Sequence, residues 1–279
     1  MTPDRVRAPG RIWLRLAALL VVLNGTFPMI WIFLTSLKTE SELTRRPITW
    51  LPLEPTLANY VRAFADQPLW LYVVNSLVVA LLSTALSILA ASLAAYALAR
   101  LRVRGRELIL AALVAVSTFP LITLLVPLFQ IMRGLGLLNT YPALVLPYAV
   151  LNLPVCTLVL VSFFESIPKD LENAAMLDGC TRLGALWRIV IPLSAPGMFT
   201  AAILAFVNAW DEFLLALSFL GSQRMRTVSV GITLYQGEFA FPWPLISAAL
   251  MMALLPVVVL IVLFQERVVS GLTQGGLKG

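Results

Sequence analysis

Three polar residues interrupt a long apolar run and are the clearest candidates for chemistry in this chain. Asn208, Asp211 and Glu212 lie within the segment N-A-W-D-E-F. Carboxylates in such surroundings are costly unless they face water or a partner. One interpretation makes them gating or path residues, on a solute path or at a break in the helix. The other places them at a hydrated helix end, where they hold a neighbouring helix. We expect a structural or gating role rather than direct solute binding.

Residue types that form catalytic and metal sites are scarce. The chain has no histidine and only two cysteines, Cys156 and Cys180. Histidine-dependent general-base, triad and zinc chemistry are therefore excluded within this chain. The P-loop pattern G-x-x-x-x-G-K-[ST] does not occur, which excludes nucleotide binding of that kind. We predict no catalytic residue, no metal site and no cofactor in this chain.

The elements that position these residues are predicted to be membrane-spanning helices. The sequence is 60% hydrophobic and 12% charged, about half the charged share of a soluble domain. Its apolar runs are long enough to cross a hydrocarbon core of about 30 Å, and they are continuous, which favours helices over barrel strands. Six spans are predicted: Ile12–Leu37, Trp70–Leu98, Leu108–Met132, Tyr141–Phe164, Met198–Leu220 and Pro244–Phe264.

The predicted fold is an all-α polytopic membrane protein. One six-span domain covers residues 12–264, between an N-terminal segment at 1–11 and a C-terminal tail at 265–279. With a cytoplasmic N-terminus, thirteen Lys and Arg residues fall on the inside and seven on the outside, so both termini are predicted to be cytoplasmic. The net charge of +6 then reflects topology and contact with anionic membrane lipid. No nucleic-acid partner is expected.

A polar loop at residues 166–196 is predicted to fold as two short helices. The first begins near Pro168, with acidic residues in its first turn, and Gly179 can take a positive φ and end it. The second helix is expected to stop at Pro192. It carries an apolar ridge at helical spacing, which either contacts a partner or packs on the chain's own helices. The ridge consists of Leu183, Leu186, Trp187 and Val190.

The segment E-N-A-A-M-L-D-G, followed thirteen residues after its glycine by Pro192, resembles the EAA loop of ABC-importer permease subunits. The pattern of that family is roughly E-A-A-x-x-x-G with a later L-P. Three further stretches are similar to its carbohydrate branch, that of the maltose permease MalG: W-D-E-F at Trp210–Phe213, S-L-K-T-E at Ser36–Glu40, and G-L-T-Q-G-G-L-K-G at Gly271–Gly279. The resemblance implies a fold like that of a type I ABC importer permease, with the 166–196 loop as a helix–turn–helix coupling loop.

The resemblance implies a transmembrane subunit of an ATP-driven, binding-protein-dependent importer for di- or oligosaccharides in the cell inner membrane. Its partners would be a second homologous permease, an extracytoplasmic solute-binding protein, and a dimer of ATPase subunits that binds ATP and Mg. The residues assigned to ATPase coupling are Glu172, Asn173, Ala174, Ala175, Asp178, Gly179, Trp187 and Pro192. A flexible tail would also reach the ATPase interface through Gly271, Leu272, Thr273, Gly275, Gly276 and Lys278.

Asn173 stands where the family has the glutamate directly before the two alanines. Asn173 can form a hydrogen bond but no salt bridge, and Glu172 cannot replace that glutamate because one residue turns a helix by about 100°. We therefore expect the loop to dock mainly through apolar contacts. Gly179→Pro should uncouple transport severely, whereas Asn173→Glu should be tolerated.

Two other functions remain open from the residues alone: a stand-alone secondary transporter driven by an ion gradient, and a membrane-embedded enzyme. The few central charges argue against the first, and the absence of a clustered carboxylate–nucleophile constellation argues against the second. Aromatic residues that could line a path are Phe119, Tyr148 and Phe206. The sequence does not specify the sugar.

Overall fold

A computed structural model describes the backbone of residues 10–237 and 241–276, and the side chains of residues 13–237 and 241–264. Those residues form helices and connecting turns, without a strand. The α-helices are α1 (Gly10–Ser36), α2 (Glu40–Leu43), α3 (Ala58–Asp66), α4 (Leu69–Arg100), α5 (Arg106–Ser117), α6 (Leu121–Gly134), α7 (Pro142–Ser166), α8 (Lys169–Leu177), α9 (Arg182–Ala185), α10 (Ile191–Leu193), α11 (Ala195–Asp211), α12 (Leu214–Phe219), α13 (Val228–Thr233) and α14 (Trp243–Gly276). A π-helical turn, Leu186–Val190, joins α9 to α10, and a 3₁₀ turn covers Gln223–Met225.

Four of the described helices are each long and apolar enough to cross a membrane. They are α1 over Trp13–Ser36, α4, α7, and α14 over Trp243–Phe264. Two further apolar segments reach the required length only as bent pairs: α5 with α6, at 92°, and Arg182–Leu193 with α11, at 83°. If each bent pair is one span, the described chain has six spans, the number predicted, but the pair that contains α11 begins at Arg182 and ends at Asp211 rather than covering Met198–Leu220.

Two of the predicted spans are broken rather than continuous. The third turns between α5 and α6 at Pro120, whose backbone is extended; proline has no N–H to donate and disfavours a helical residue before it. The fifth was expected to run from Met198 to Leu220, but α11 ends at Asp211 and α12 begins at Leu214. One of the two earlier interpretations of Asp211 and Glu212 placed them at such a break.

The chain divides into two structural units. The first comprises Met1–Gln67 and Leu234–Leu254, and the second comprises Pro68–Thr233 and Leu255–Gly279.

Polar side chains tie the loop segment of the first unit to the end of α1. The Asn59 amide on α3 donates hydrogen bonds to the carbonyl oxygens of Ser36 (2.8 Å) and Lys38 (2.9 Å). Glu42 accepts hydrogen bonds from the Thr49 hydroxyl (2.6 Å) and the Leu53 N–H (3.0 Å), and the Thr49 bond is the largest influence that lowers the pKa of Glu42. These bonds satisfy polar groups that burial would otherwise penalise.

The core of the second unit lies among α4, α7 and α11. Ala91 and Ala95 on α4 and Ala201 on α11 are fully buried, as is Phe164 on α7. Small residues at helix contacts let backbones approach closely, which is how membrane helices pack in the absence of a hydrophobic driving force.

Candidate functional site

The 166–196 loop begins with the predicted helix and glycine turn. Helix α8 starts directly after Pro168, and Gly179 has a φ of +87°. The Cys180 N–H donates to the Ala175 carbonyl at 2.9 Å, and the Gly179 N–H donates to the Met176 carbonyl at 3.1 Å. These bonds satisfy carbonyls of the last turn, as expected for a left-handed helix end. The prediction for this helix is confirmed.

The second half of the loop differs from the prediction at Pro192. The helical path continues through Pro192 to Leu193, so the expectation that Pro192 stops the helix is wrong. Before it, the Ile191 N–H donates to the Leu186 carbonyl in a π-helical turn. The wider turn accommodates a proline, which lacks an N–H and would clash in a regular helix. The sharp bend comes after Leu193, where α11 begins.

The predicted apolar ridge of the loop faces two ways. Leu186 and Val190 are fully buried in the core of the second unit. Leu183 and Trp187 are 58% and 49% exposed. Both interpretations of the ridge therefore apply, because half of it anchors the loop to its own chain and half remains available to a partner.

The residues assigned to coupling are not equivalent in exposure. Asn173, Ala174, Asp178 and Gly179 are exposed, and Ala175 is partly buried. Most of the predicted contact surface is therefore accessible on the described chain. Glu172 is the exception.

Glu172 is buried and bound within its own chain. It forms an ion pair with the Arg100 guanidinium at the end of α4, and the Tyr96 hydroxyl donates to it at 3.1 Å. Arg100 also donates to the Ile167 carbonyl at 2.9 Å. In this position the Glu172 carboxylate holds α8 against α4 and does not face outwards. Glu172 thus differs in exposure from most of the residues assigned to coupling, and its own assignment stays a prediction.

The sequence alone does not predict the roles of Arg100 and Tyr96. In the sequence, Arg100 contributes only to the charge count that sets topology, and Tyr96 lies within an apolar span. An arginine at the last position of a span can place its charge at the membrane surface while its stem stays buried. That pattern signals a need for a partner, but 72 residues separate Arg100 from Glu172, and nothing in the local pattern pairs them.

Glu212 forms a second anchored carboxylate at the break between α11 and α12. Its carboxylate accepts hydrogen bonds from the backbone N–H groups of Leu215 (2.9 Å) and Ala216 (3.2 Å), and from the Tyr148 hydroxyl. Backbone N–H groups in the first turn of a helix have no partner within the helix. Glu212 thus caps α12, and its own carbonyl accepts from the Ser229 hydroxyl at 2.8 Å.

Beside this break lies a cavity of about 260 Å³, which we call the helix-break cavity. Its polar lining includes Asn152 and Asn208, whose amides are joined by a 3.1 Å hydrogen bond from Asn208 Nδ2 to Asn152 Oδ1. The side chains of Tyr148, Glu212 and Phe119 also line the cavity. Two amides, a phenol and an aromatic ring are groups that can contact a polar solute with an apolar face.

The residues predicted to line the path or to gate it occupy different places in the structure. Phe119, Tyr148, Asn208 and Glu212 line the helix-break cavity. Asp211 is exposed and does not line it. Phe206 is 3% exposed and stacks on Trp210, with ring centroids 5.7 Å apart, so it belongs to the core.

The C-terminal residues assigned to an ATPase contact are only partly described. The backbone of α14 stays helical through Gly276, in contrast to the flexible segment expected from Gly271 onwards. The side chains at Leu272 and Thr273 are not described, and Lys278 lies outside the described residues.

Comparison with known proteins identifies the family. Residues 87–273 match the model of the "Binding-protein-dependent transport system inner membrane component" family. The chain belongs to this family. The permease is 70% identical to the sulfoquinovosyl glycerol transport system permease protein SmoH of Agrobacterium fabrum over 264 residues, which cover 95% of this chain and 93% of SmoH. It is 41% identical to the trehalose/maltose transport system permease protein MalG of Thermococcus litoralis, over 96% and 97% of the two chains.

The fold of the permease is that of a solved ABC importer. A bacterial ABC transporter involved in the import of alginate superposes with a TM-score of 0.79 at 23% identity, covering 95% of this chain and 99% of that chain. The fold resemblance predicted from the loop is confirmed. Family membership also decides between the functions left open: the chain is a transport permease of the inner membrane, not a stand-alone secondary transporter or an enzyme.

Proposed function

We propose that this permease is the transmembrane subunit of an ATP-driven sugar importer whose substrate is sulfoquinovosyl glycerol or a closely related glycoside. The observation that carries the proposal is the 70% identity with a sulfoquinovosyl glycerol permease along 95% of the chain. The trehalose/maltose relative, at 41%, supports the broader class of small glycosides.

The complete importer contains other subunits in this proposal. A second homologous permease encloses the path, a solute-binding protein delivers the sugar from outside, and an ATPase dimer binds ATP and Mg. Both termini and the 166–196 loop lie in the cytoplasm, and the span ends contact membrane lipid. The excess of Lys and Arg on the proposed inner side supports this orientation.

The 166–196 loop is the proposed contact with the ATPase subunit. Its exposed apolar side chains, Leu171, Leu177, Leu183 and Trp187, range from 45% to 89% exposed. Exposed apolar groups of this kind mark interaction sites on proteins. The buried Leu186 and Val190 and the Glu172–Arg100 ion pair connect the loop to α4 and the core. A force on the loop would therefore be transmitted to a membrane span.

The helix-break cavity is proposed to form this subunit's part of the sugar path. Sugars offer hydroxyl groups to hydrogen-bonding side chains and C–H faces to aromatic rings, and Asn208, Asn152 and Phe119 provide both. Glu212 has a structural role here, because its oxygens are engaged by Leu215, Ala216 and Tyr148. A change in the helix break would alter the cavity directly, which makes Glu212 a gating residue.

The test is purification of the tagged permease from its native membrane in mild detergent, followed by identification of the copurifying subunits. ATP hydrolysis by the complex is then measured with the binding protein and either sulfoquinovosyl glycerol, trehalose or maltose. Stimulation by sulfoquinovosyl glycerol well above that by the other two supports the proposal. Equal stimulation by all three contradicts the specific substrate, and recovery of the permease without an ATPase subunit contradicts the importer assembly.

A further inference from the structure

A second, smaller cavity of about 140 Å³ lies between the end of α4 and the coupling loop; we call it the basic cavity. Its lining brings together the side chains of Arg100, Lys169 and Arg182 and one carboxylate, Glu172. Three cationic groups thus face one anionic group. Asn173, a residue of the proposed coupling surface, also lines the cavity.

The single carboxylate is already engaged. One Glu172 oxygen pairs with Arg100 Nε, and the other accepts from the Tyr96 hydroxyl. Lys169 and Arg182 form no ion pair within the part of the chain that the structure describes. The cavity therefore retains an excess of two positive charges.

Arg100 provides an independent observation that the cavity is incomplete. Its side chain is only 5% exposed, yet its Nη1 atom has no hydrogen-bond partner among the described residues. A guanidinium presents five N–H donors, and leaving a buried one unpaired is unfavourable. Because the other nitrogens bind Glu172 and Ile167, what is missing is an additional acceptor. An anionic oxygen in the cavity would offset the excess charge, although Arg100 Nη1 itself is covered in this conformation.

The residues around the cavity mouth indicate which molecule supplies that oxygen. Asn173 and Met176 on α8 line the cavity, and their neighbour Leu177 on the same helix is 89% exposed. A protein surface that covers this apolar part of α8 therefore reaches the mouth of the cavity. We propose that the basic cavity receives an acidic side chain, Asp or Glu, of the docked ATPase subunit.

This proposal rests on the proposed coupling role of the loop, and it is tested by charge neutralisation away from the Arg100–Glu172 ion pair. Lys169→Gln and Arg182→Gln are combined in one variant. The matched control is Arg102→Gln with Arg104→Gln, which removes two charges from exposed positions that do not line the cavity. The dissociation constant for binding of the copurified ATPase subunit to the permease complex in nanodiscs is measured at several salt concentrations. The nanodiscs contain either phosphatidylcholine alone or phosphatidylcholine with 30% phosphatidylglycerol.

The Lys169/Arg182 variant is expected to bind the ATPase subunit about tenfold more weakly at low salt, as for loss of charge-assisted hydrogen bonding. This loss should occur in both lipid mixtures, and the salt dependence of binding should be reduced. The control should stay within about twofold. An equal loss in the control, or no loss in either variant, overturns the proposal. A loss confined to nanodiscs with phosphatidylglycerol assigns the cavity to a lipid phosphate instead and also overturns it. Failure of the unmodified complex to bind an ATPase subunit would contradict the proposed function itself, a separate result.

Discussion

The second unit contains two anchored carboxylates, Glu172 at the coupling loop and Glu212 at the helix break. A tyrosine hydroxyl holds each of them in place, but different charges stabilise them. Glu172 faces a full positive charge, the Arg100 guanidinium. Glu212 faces the backbone N–H groups at the start of α12, which carry only a partial positive charge.

The two carboxylate contacts also differ in which parts of the chain they connect. The Arg100–Glu172 pair links α4 and α8, two elements far apart in the chain, and in the proposed coupling role it would transmit force between the loop and a span. The Glu212 contact is mostly local, because it binds residues three and four positions ahead. In the proposed function, the coupling loop thus depends on a strong long-range bond, whereas the helix break beside the proposed path depends on a weaker, mostly local contact.

The first prediction concerns loss of one member of the ion pair. Arg100→Gln should destabilise the permease by about 3–5 kcal/mol, because removing one partner leaves a buried charge uncompensated. Thermal unfolding of the purified complex in mild detergent measures the effect. The control is Glu107→Gln, which breaks a pair whose carboxylate is 84% exposed and should cost at most about 1 kcal/mol. Combining Arg100→Gln with Glu172→Gln should cost less than the sum of the single changes, and full additivity would show that the pair is not coupled.

The second prediction concerns the turn that orients the loop. Gly179→Pro should abolish most sugar uptake, because proline cannot take the φ of +87° and loses the N–H that donates to the Met176 carbonyl. Gly179→Ala should be milder, with strain of about 1–2 kcal/mol. Gly134→Ala is the control, since its φ is not positive and a Cβ there meets nothing within 4 Å. Uptake at the normal rate by Gly179→Pro, with normal amounts of protein in the membrane, would contradict the docking role of the loop.

The sequence alone predicts the structure correctly where local backbone preferences determine it. The glycine turn at Gly179 and the helix after Pro168 follow from backbone preferences, and both were predicted correctly. The path of the chain through Pro192 was not, because the buried Leu186 and Val190 hold a π-helical turn there that outweighs the usual effect of proline. The Arg100–Glu172 pair could not be predicted for a different reason: it depends on how α4 and α8 meet, which no local pattern encodes.

The third prediction concerns the capping carboxylate. Glu212→Gln should keep one acceptor for the Leu215 N–H but lose the charge that favours the start of α12, at a cost of about 1 kcal/mol. The gating role predicts a larger change in function than in stability, visible as altered ATP hydrolysis in the absence of sugar. Asp211→Asn is the control, because Asp211 is exposed and does not line the cavity. If both variants retain normal transport and assembly, neither carboxylate has a gating role.

The smallest effect is expected at Asn173, where the chain departs from the family pattern. Asn173→Glu should leave thermal stability within about 0.5 kcal/mol, as for most exposed substitutions, and sugar uptake within about twofold. The new carboxylate would lie beside Lys169 and Arg182 at the basic cavity, but exposed ion pairs contribute at most about 1 kcal/mol. Asn173→Gln separates charge from side-chain length. A loss of uptake as severe in Asn173→Glu as in Gly179→Pro would mean that a single charge on α8 controls docking, and the loop would then be held by electrostatics rather than by the apolar contacts proposed for Leu177 and Trp187.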